Sequence, residues 1–481
     1  MSANYAAGEF KIEAFTLVNQ YNESLDLTNM VMGFKLFESI FNKFVTGEVS
    51  VYDGLNLPKN FRMTGQEYIR IAFSQREGVG EDADAEFSID KTFRVYKLDN
   101  ITRIDELTQT YVLRICDPRM FFARRKRISQ TLRGRYDQIL QNALVDVGKF
   151  KPAEFDGWEK TVPENKQFIC PNWTVAELID YITNNSQVGE HYAYRNGLFF
   201  YQTLNGGFRF LSFDTMCTME FPIPFSLMPR NTVETSDENI NAPSGLNTAI
   251  QTYKKPQMFD SLQATVGGAY ASTLKVYDPI RKLEEENVYD LKTSMDKGDH
   301  ISGFPMLFLD DDERVLRPNE IVDPTVSPTI DEIDVDLKPT EEFDSLIIRD
   351  YHNQHSFDNA ENLSDPEVFE PRKLNDSGTL ERRALLEILQ QHRIQLTIPL
   401  RTDLTVGMII KLQIPTPEVP GEGDKSDKVN DDRYLITDLA VNGDPQAKTG
   451  LLQLECVKES YAKKMEDARP LDDAPGPEET A

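Results

Sequence analysis

The sequence predicts a mainly β protein with α+β parts: two antiparallel β-barrel domains, an α+β domain and a loop-rich insertion. The 481 residues include 28 Phe and 18 Tyr but only 2 Trp, a composition that favours β structure. Short alternating segments bounded by turn residues recur in both halves of the chain. Strands with one apolar face that follow each other through turns are typical of barrels and sandwiches.

Changes in pattern along the chain suggest five parts, and the length alone favours about three domains. The predicted parts are a first β-barrel domain at 1–117, an α+β domain at 118–242, a discontinuous second β-barrel domain at 243–299 and 377–462, an acidic loop-rich insertion at 300–376, and a disordered acidic tail at 463–481.

The first part is predicted from strands with clear ends. Residues 47–52 alternate and stop at the turn signal Asp53-Gly54. Residues 65–73 form another strand, with Ile69 and Ile71 on its inner face. Segments 87–98 and 110–115 complete a set of short strands, as in an antiparallel barrel or sandwich.

The second part mixes helices with a hairpin. Segments 120–126, 128–147 and 175–184 carry apolar residues at helical spacing. Residues 198–202 and 208–213 flank an Asn-Gly-Gly turn, which is a strong hairpin signal. This combination predicts an α+β domain.

The second β-barrel domain is predicted to be organised around a stretch that begins near residue 380. This stretch predicts a helix at 378–390, then strands at 393–400 and 406–414 that form an antiparallel hairpin. Upstream, a helix at 258–266 ends at Gly267-Gly268 and leads into a strand at 271–277. These glycines fit a helix C-cap better than phosphate binding, because no phosphate-loop pattern surrounds them.

The formal net charge of −27 predicts repulsion of nucleic acids and anionic membranes. Four scattered cysteines are expected to be reduced, buried thiols. We predict neither a signal peptide nor a membrane span, since no apolar run approaches about 18 residues.

One basic cluster interrupts this acidic chain. It consists of Arg119, Arg124, Arg125, Lys126, Arg127, Arg133 and Arg135. A nucleic-acid site is one interpretation, but interleaved aromatic residues are limited to Phe121 and Phe122. Contact with an acidic surface of another subunit or domain is the interpretation we favour.

No catalytic, metal-binding or cofactor-binding residue is predicted. The acidic runs 310–313 and 331–336 lack the glycine of a calcium-binding loop. His352 and His355 have metal-like spacing but no third ligand nearby in the sequence. Hydrolase and phosphate-loop motifs are not found, so we expect a protein that is not an enzyme.

Three segments resemble the baseplate hub proteins of contractile-tailed bacteriophages, the myovirus tail hub family. Asp53 followed by Gly65-Gln66-Glu67-Tyr68-Ile69 is similar to the first tube domain of that family. The helix and glycines at 258–268, and the helix and strands at 378–414, are similar to its second tube domain. The resemblance covers both predicted barrels, which makes them two similar tube-type domains.

The resemblance implies a structural protein of the virion baseplate, made in the host cytoplasm. In the family, three chains form a homotrimer whose six tube-type domains join a sixfold tail tube to a threefold central spike. The implied partners are other copies of the chain, the tail tube protein, the central spike protein and other baseplate proteins. DNA passes through the lumen during genome ejection, and no membrane partner is implied.

Two other classes of function stay open. A tail-associated cell-wall hydrolase would need a convergent pair of carboxylates in a deep cleft. A peripheral receptor-binding tail protein would show an exposed aromatic platform, for which the two tryptophans are few. The insertion at 300–376 and a loop at 415–432 are longer than the compact hub pattern requires.

Overall fold

The computed structural model describes residues 7–76, 86–162, 166–189, 191–227, 248–278, 283–291, 294, 297–305, 347–351, 378–414 and 432–461. Over these residues the protein is mainly β with α+β parts. The two acidic runs, the His352 and His355 pair, most of the predicted loop at 415–432 and the acidic tail lie outside the described residues.

In chain order, the strands are β1 Lys11–Val18, β2 Ser24–Asp26, β3 Val31–Ser39, β4 Thr46–Asp53, β5 Tyr68–Arg76, β6 Glu86–Arg103, β7 Gln109–Cys116, β8 Arg127–Gly134, β9 Phe155–Trp158, β10 Lys166–Thr174, β11 Leu198–Gln202, β12 Phe208–Ser212, β13 Phe225–Leu227, β14 Ala249–Ile250, β15 Thr252–Gln257, β16 Ala271–Asp278, β17 Leu283–Asp290, β18 Phe304–Pro305, β19 Ile347–Tyr351, β20 His392–Pro399, β21 Ile409–Gln413, β22 Arg433–Asp444, β23 Thr449–Lys458 and β24 Ser460–Tyr461.

The helices are α1 Leu57–Asn60, α2 Arg119–Arg125, α3 Tyr136–Asp146, α4 Val175–Asn185, α5 Phe213–Cys217, α6 Ser261–Gly267 and α7 Gly378–Leu389. Helix α4 begins at a capping box, in which Thr174 and Glu177 satisfy each other's backbone N–H groups. Helix α6 ends as predicted, with Gly268 at a φ of 80°.

One sheet of 14 strands dominates the molecule. Its main path runs β14-β13-β21-β22-β3-β4-β7-β6-β5-β1-β2, and β15, β20 and β23 form a branch that joins at β22. Side chains from both halves of the chain share one apolar core beneath it, among them Phe34, Phe73, Leu396 and Leu454. The two halves of the chain are therefore packed as one body.

Two parts of this sheet have the same strand order. Neighbouring strands follow β3-β4-β7-β6-β5 in the first repeat and β15-β20-β23-β22-β21 in the second repeat. Every step is antiparallel in both repeats. The chain thus contains a structural duplication.

The duplication extends to irregular features. Strand β6 has a bulge between Val95 and Lys97, and β22 has one between Ile436 and Asp438. Val95 N donates to Glu67 O at 2.9 Å, and Ile436 N donates to Met408 O at the same distance. Bulges are specific features of a strand pair, so their agreement fixes which residues of the two repeats correspond.

The repeats meet edge to edge where β22 pairs with β3, from Asp438 opposite Ser39 to Gly443 opposite Phe34. We call this pairing the internal seam. Among the described strands, no ladder closes either repeat into a barrel. The two predicted barrels are therefore not seen as closed barrels; instead, both repeats continue a single open sheet.

The helices α3 and α4 pack against small sheets to form a second core. Strand β8 pairs with β10, and β12 lies between β11 and β9. Leu140 and Ile179 from the helices meet Phe200 and Phe208 from the predicted hairpin. The hairpin prediction is confirmed.

A smaller sheet and the helices α6 and α7 are inserted between the first two strands of the second repeat. Strand β16 pairs with β17 and, in parallel, with β19. Helix α7 packs Leu380 and Ala384 against Leu274 and Val276 of β16. Strand β19 comes from the segment predicted to be loop-rich, so that prediction missed it.

Two predictions about local structure are wrong. Residues 127–134 form strand β8 rather than the start of a long helix, because they pair with β10 and Gly134 takes a φ of 121°. Strands β20 and β21 do not form a hairpin. Strand β20 pairs with β15 and β23, whereas β21 pairs with β22 and β13. Both strands are buried, and each finds its partners elsewhere in the sheet.

The cysteines agree with the prediction, since Cys116, Cys170, Cys217 and Cys456 are all buried and unbridged. Burial raises the pKa of the Cys116 thiol to about 12, which keeps it protonated at neutral pH. None of the described helices is both long and apolar enough to cross a lipid bilayer.

Candidate interaction surfaces

The predicted basic cluster lies on α2 and β8. Arg124, Arg125, Lys126 and Arg127 are exposed and follow each other at the junction between these elements. Arg133 is also exposed, but it lies six residues along β8, about 20 Å away at the rise of a strand. The structure brings four of the seven residues together.

The other two cluster residues are engaged inside the chain. Arg119 pairs with Asp117 at 3.2 Å and with Glu154, and these acids raise the Arg119 pKa although burial opposes its charge. Arg135 pairs with Asp137 at 2.9 Å, and it lowers the Asp137 pKa against the effect of burial. Both arginines are therefore engaged in ion pairs within the chain.

A polar cleft of about 460 Å³ lies between β6 and the β11–β12 hairpin. Three of its lining residues are acidic, and each pairs with an arginine: Asp90 with Arg70, Glu154 with Arg119, and Asp156 with Arg209. The hydrogen bond from Arg70 lowers the Asp90 pKa. A general acid needs a raised pKa, so the pairing of these carboxylates does not favour glycoside hydrolysis.

Glu38 connects the internal seam to the turn of the β11–β12 hairpin and to the segment before β21. It lies opposite Leu439 in the seam, and its buried carboxylate accepts hydrogen bonds from Leu204 N and Val406 N. Burial raises its pKa to about 7, although these two N–H groups favour the charged form. Sequence patterns gave no sign of this residue, because its partners lie 166 and 368 positions away.

Helix α7 ties the α+β part to the second repeat. The Arg382 guanidinium donates to Asn196 O at 3.0 Å and to Leu198 O at 2.7 Å. Glu381 accepts a hydrogen bond from Arg195 N at 2.9 Å. Burial lowers the Arg382 pKa to about 10, but the group still carries its charge at neutral pH.

A buried ion pair sits at the end of the second repeat. His300 Nδ1 lies 3.1 Å from Glu459 Oε2, and its Nε2 lies 3.1 Å from Lys297 O. Burial alone would lower the His300 pKa, but Glu459 outweighs it and the pKa rises to about 9. Among the described residues, no group of three or more His, Cys, Asp or Glu could hold a metal ion.

Exposed apolar residues concentrate at two sheet edges. On β6 and the turn that follows, Tyr96, Ile101, Ile104 and Leu107 are 47–83% exposed. Just after β15, Phe259 is 75% exposed, and Leu262 in the following helix α6 is 76% exposed. Such residues are common singly, but grouped beside strand edges they indicate a contact surface.

No protein-family model matches the chain, and no curated protein matches it. Solved structures do. A tail protein from Neisseria meningitidis MC58 has 9% identity and a TM-score of 0.47, and the match covers 94% of this chain and 97% of that one. The 43 kDa tail protein of prophage MuSo2 from Shewanella oneidensis has 9% identity and a TM-score of 0.49, over 93% and 98% of the two chains.

A third similar structure is prophage tail protein gp18 from Listeria monocytogenes EGD-e. It has 10% identity and a TM-score of 0.42, over 93% of this chain and 96% of that one. Several of the solved structures that are similar to this chain are therefore phage tail or baseplate proteins.

Proposed function

We propose that this chain is the structural hub subunit of the baseplate of a contractile phage tail. Three copies form a ring of six tube-type domains, two from each chain, which joins the sixfold tail tube to the threefold central spike. Its partners are other copies of itself, the tail tube protein, the spike protein and other baseplate proteins. It is made in the host cytoplasm, works in the virion and performs no catalysis.

The duplicated strand order supports this proposal most directly. A ring that is threefold in chains and sixfold in units requires two equivalent units per chain. The first and second repeats have the same order of five strands and share one bulge at the corresponding position. The sequence segments that resemble hub proteins lie in or beside these repeats, at residues 53–69, 258–268 and 378–414.

The same proposal divides the chain by role. The first tube-type domain is 1–117 and the second is 243–299 with 377–462. The α+β domain at 118–242 covers their outside, where Gln202 Nε2 donates to Asp117 at 2.6 Å and Gln202 Oε1 accepts from Val45 N at 3.0 Å. The insertion at 300–376 contacts other baseplate parts.

The acidity of the chain suits a channel for DNA. Lysine and arginine contacts make DNA adhere to proteins, so a wall with a net negative charge lets a duplex slide through. The formal charge of −27 per chain becomes −81 for three chains. A positive potential along the lumen of the assembled ring would count against this role.

The four contiguous cations at 124–127 are proposed to contact an acidic surface of another subunit. Arg124→Glu combined with Arg125→Glu should weaken assembly about tenfold or more, because it places like charges at the contact. The control is Lys11→Glu with Lys59→Glu, an equal charge change at two exposed lysines elsewhere. Equal assembly of both variants would remove the cluster from the interface.

Analytical ultracentrifugation of the purified full chain tests the hub proposal. We expect a species of three chain masses, alone or after addition of the spike protein. A chain that stays monomeric in both cases contradicts the proposal. Release of peptides or sugars from purified peptidoglycan would instead support the hydrolase.

A further inference from the structure

Each chain contains a second pair of strands that corresponds to the two strands of the internal seam. These two strands do not pair with each other within the chain. In the seam, the second half of β22 pairs with β3. The corresponding strands are β6 for β22 and β15 for β3. We propose that the second half of β6 in one copy pairs with β15 of a second copy, which repeats the seam between chains. This inference rests on the proposed hub function.

The strand ladders leave room for this pairing. Residues 86–94 of β6 pair with β5 on one side, and residues 94–103 pair with β7 on the other. Strand β15 takes part in one ladder among the described strands, with β20. Strand edges of this kind recruit further strands, and here the duplication identifies the partner as the same chain.

Matching ladders fix the register. Val95 and Ile436 correspond because each begins the shared bulge, so Arg94 and Leu435, one residue earlier, correspond as well. Their partners Cys116 and Val457 then also correspond, and so do Thr46 and Arg393, which lie opposite these two residues on the next strand. Phe37 and Gln257 correspond in turn, because they lie opposite Thr46 and Arg393.

In the seam, Leu439 lies opposite Glu38, and Ala440 lies opposite Phe37. Counted from the shared bulge, Leu439 corresponds to Leu98 and Ala440 to Asp99. The proposed pairing between chains therefore places Leu98 of one chain opposite Met258 of the other. It also places Asp99 of the first chain opposite Gln257 of the second.

The surface chemistry agrees with this register, although the register was derived without it. Met258 and Phe259 are 38% and 75% exposed and fall at one end of the new pairing. Tyr96, which is 47% exposed on β6, falls at the same end. Covering three large apolar side chains would favour the association.

The geometry of this contact gives a ring instead of an isolated pair. One copy offers β6 and the other offers β15, so each copy keeps one unused edge for the next. Such head-to-tail contacts close into a ring when the rotation between units allows it. The internal seam supplies the same rotation inside each chain, so units inside and between chains follow one repeat.

Cysteine cross-linking between two variants tests the register. Full-length chain with Leu98→Cys is mixed with full-length chain with Met258→Cys under mild oxidation. Opposed residues of antiparallel strands have Cα atoms about 4.5–5.5 Å apart, which a disulfide can span. We expect a cross-linked dimer in the mixture, at least tenfold more abundant than in either variant alone.

The matched control replaces Leu98→Cys by Leu107→Cys, which is 83% exposed but outside the register. Equal cross-linking of the control pair, or none in the test pair, overturns the proposed seam. The masses of the same samples separate the two proposals. Rings without the cross-link reject the seam and leave the hub standing, whereas cross-linked open chains support the seam and reject the hub ring.

Loss of the exposed apolar contact gives an independent test. Phe259→Lys should weaken self-association about tenfold or more without changing the melting temperature, because this side chain is largely exposed in one chain. Leu55→Lys, at a residue 55% exposed after β4, is the control and should assemble normally. Equal assembly of both variants contradicts the proposal.

Discussion

Gly443 of β22 lies directly opposite Phe34 of β3, and the phenyl ring covers the position that a β-carbon would occupy. The pair sits at one end of the internal seam, where the two repeats become one sheet. Phe34 also contacts Phe10, Phe15 and Phe73 in the shared core. Because Gly443 has no side chain, the Phe34 ring packs directly against its backbone. The aromatic core of the first repeat therefore extends to the edge of the second repeat.

A methyl group at this position should open the seam. Gly443→Ala is expected to lower the free energy of unfolding by about 1–3 kcal/mol, because the new Cβ overlaps the Phe34 ring. Gly33→Ala is the control, since a Cβ there lies 3.6 Å from Gly443 O, an ordinary contact. Urea unfolding of both variants measures the difference, and equal stability would show that the seam adapts without cost.

Arg382 should be more important for stability than its neighbour Arg383. Arg382→Met removes two charge-assisted hydrogen bonds to Asn196 O and Leu198 O, and should cost about 2–3 kcal/mol. Arg383→Met, at an exposed residue that donates to Gly267 O, should cost less than about 1 kcal/mol. Thermal unfolding of the two variants compares them. A larger loss for Arg383→Met would show that α7 does not hold the two parts together.

The His300–Glu459 pair predicts a loss of stability at alkaline pH. The folded His300 pKa of about 9 exceeds the ordinary value of 6.5, so the contribution is complete below pH 6.5. It declines as the pH rises through 9, where the folded protein loses the extra proton. The difference in unfolding free energy between wild type and His300→Gln should therefore shrink from pH 6 to pH 10. A constant difference would show that the histidine is neutral throughout.

The buried Glu38 side chain also predicts a loss of stability as the pH rises. Its folded pKa of about 7 lies above its ordinary value of 4.5, so the protonated form stabilises the fold. This contribution is complete below pH 4.5 and is lost as the pH rises through 7. Glu38→Gln stays neutral, and its stability relative to wild type should rise between pH 5 and pH 8. Chemical unfolding at four pH values measures the trend, and a fall in that relative stability would contradict the raised pKa.

Local patterns predicted most elements but not how they pair. The segment at 47–52 and the helix after residue 377 emerged because turn and cap signals lie within a few residues of them. The spacing of Ile128 and Leu132 is ambiguous, since a separation of four residues fits a helix as well as one face of a strand. Strand pairing with β10 and the backbone at Gly134 decide the outcome, and neither is a local property.

The candidate surfaces were only partly predictable for the same reason. The cations at 124–127 are adjacent in the sequence, so composition revealed them. Arg119 and Arg135 belong to the same basic cluster in the sequence, but each forms an ion pair within the chain. Arg119 pairs with Glu154, and Arg135 pairs with Asp137. The edges of β6 and β15 depend on strand order across the whole chain. Exposed residues such as Tyr96 and Phe259 gave no signal until that order was known.

Electron microscopy of the purified full-length chain at high concentration, alone and after addition of the spike protein, tests the central claim most directly. We expect class averages of a ring with threefold symmetry, a six-lobed outline and a hole wide enough for duplex DNA. Such a ring would leave little room for a hydrolase. Compact particles of one chain each, with a deep closed cleft and no flat docking edge, would contradict the account and favour an enzyme.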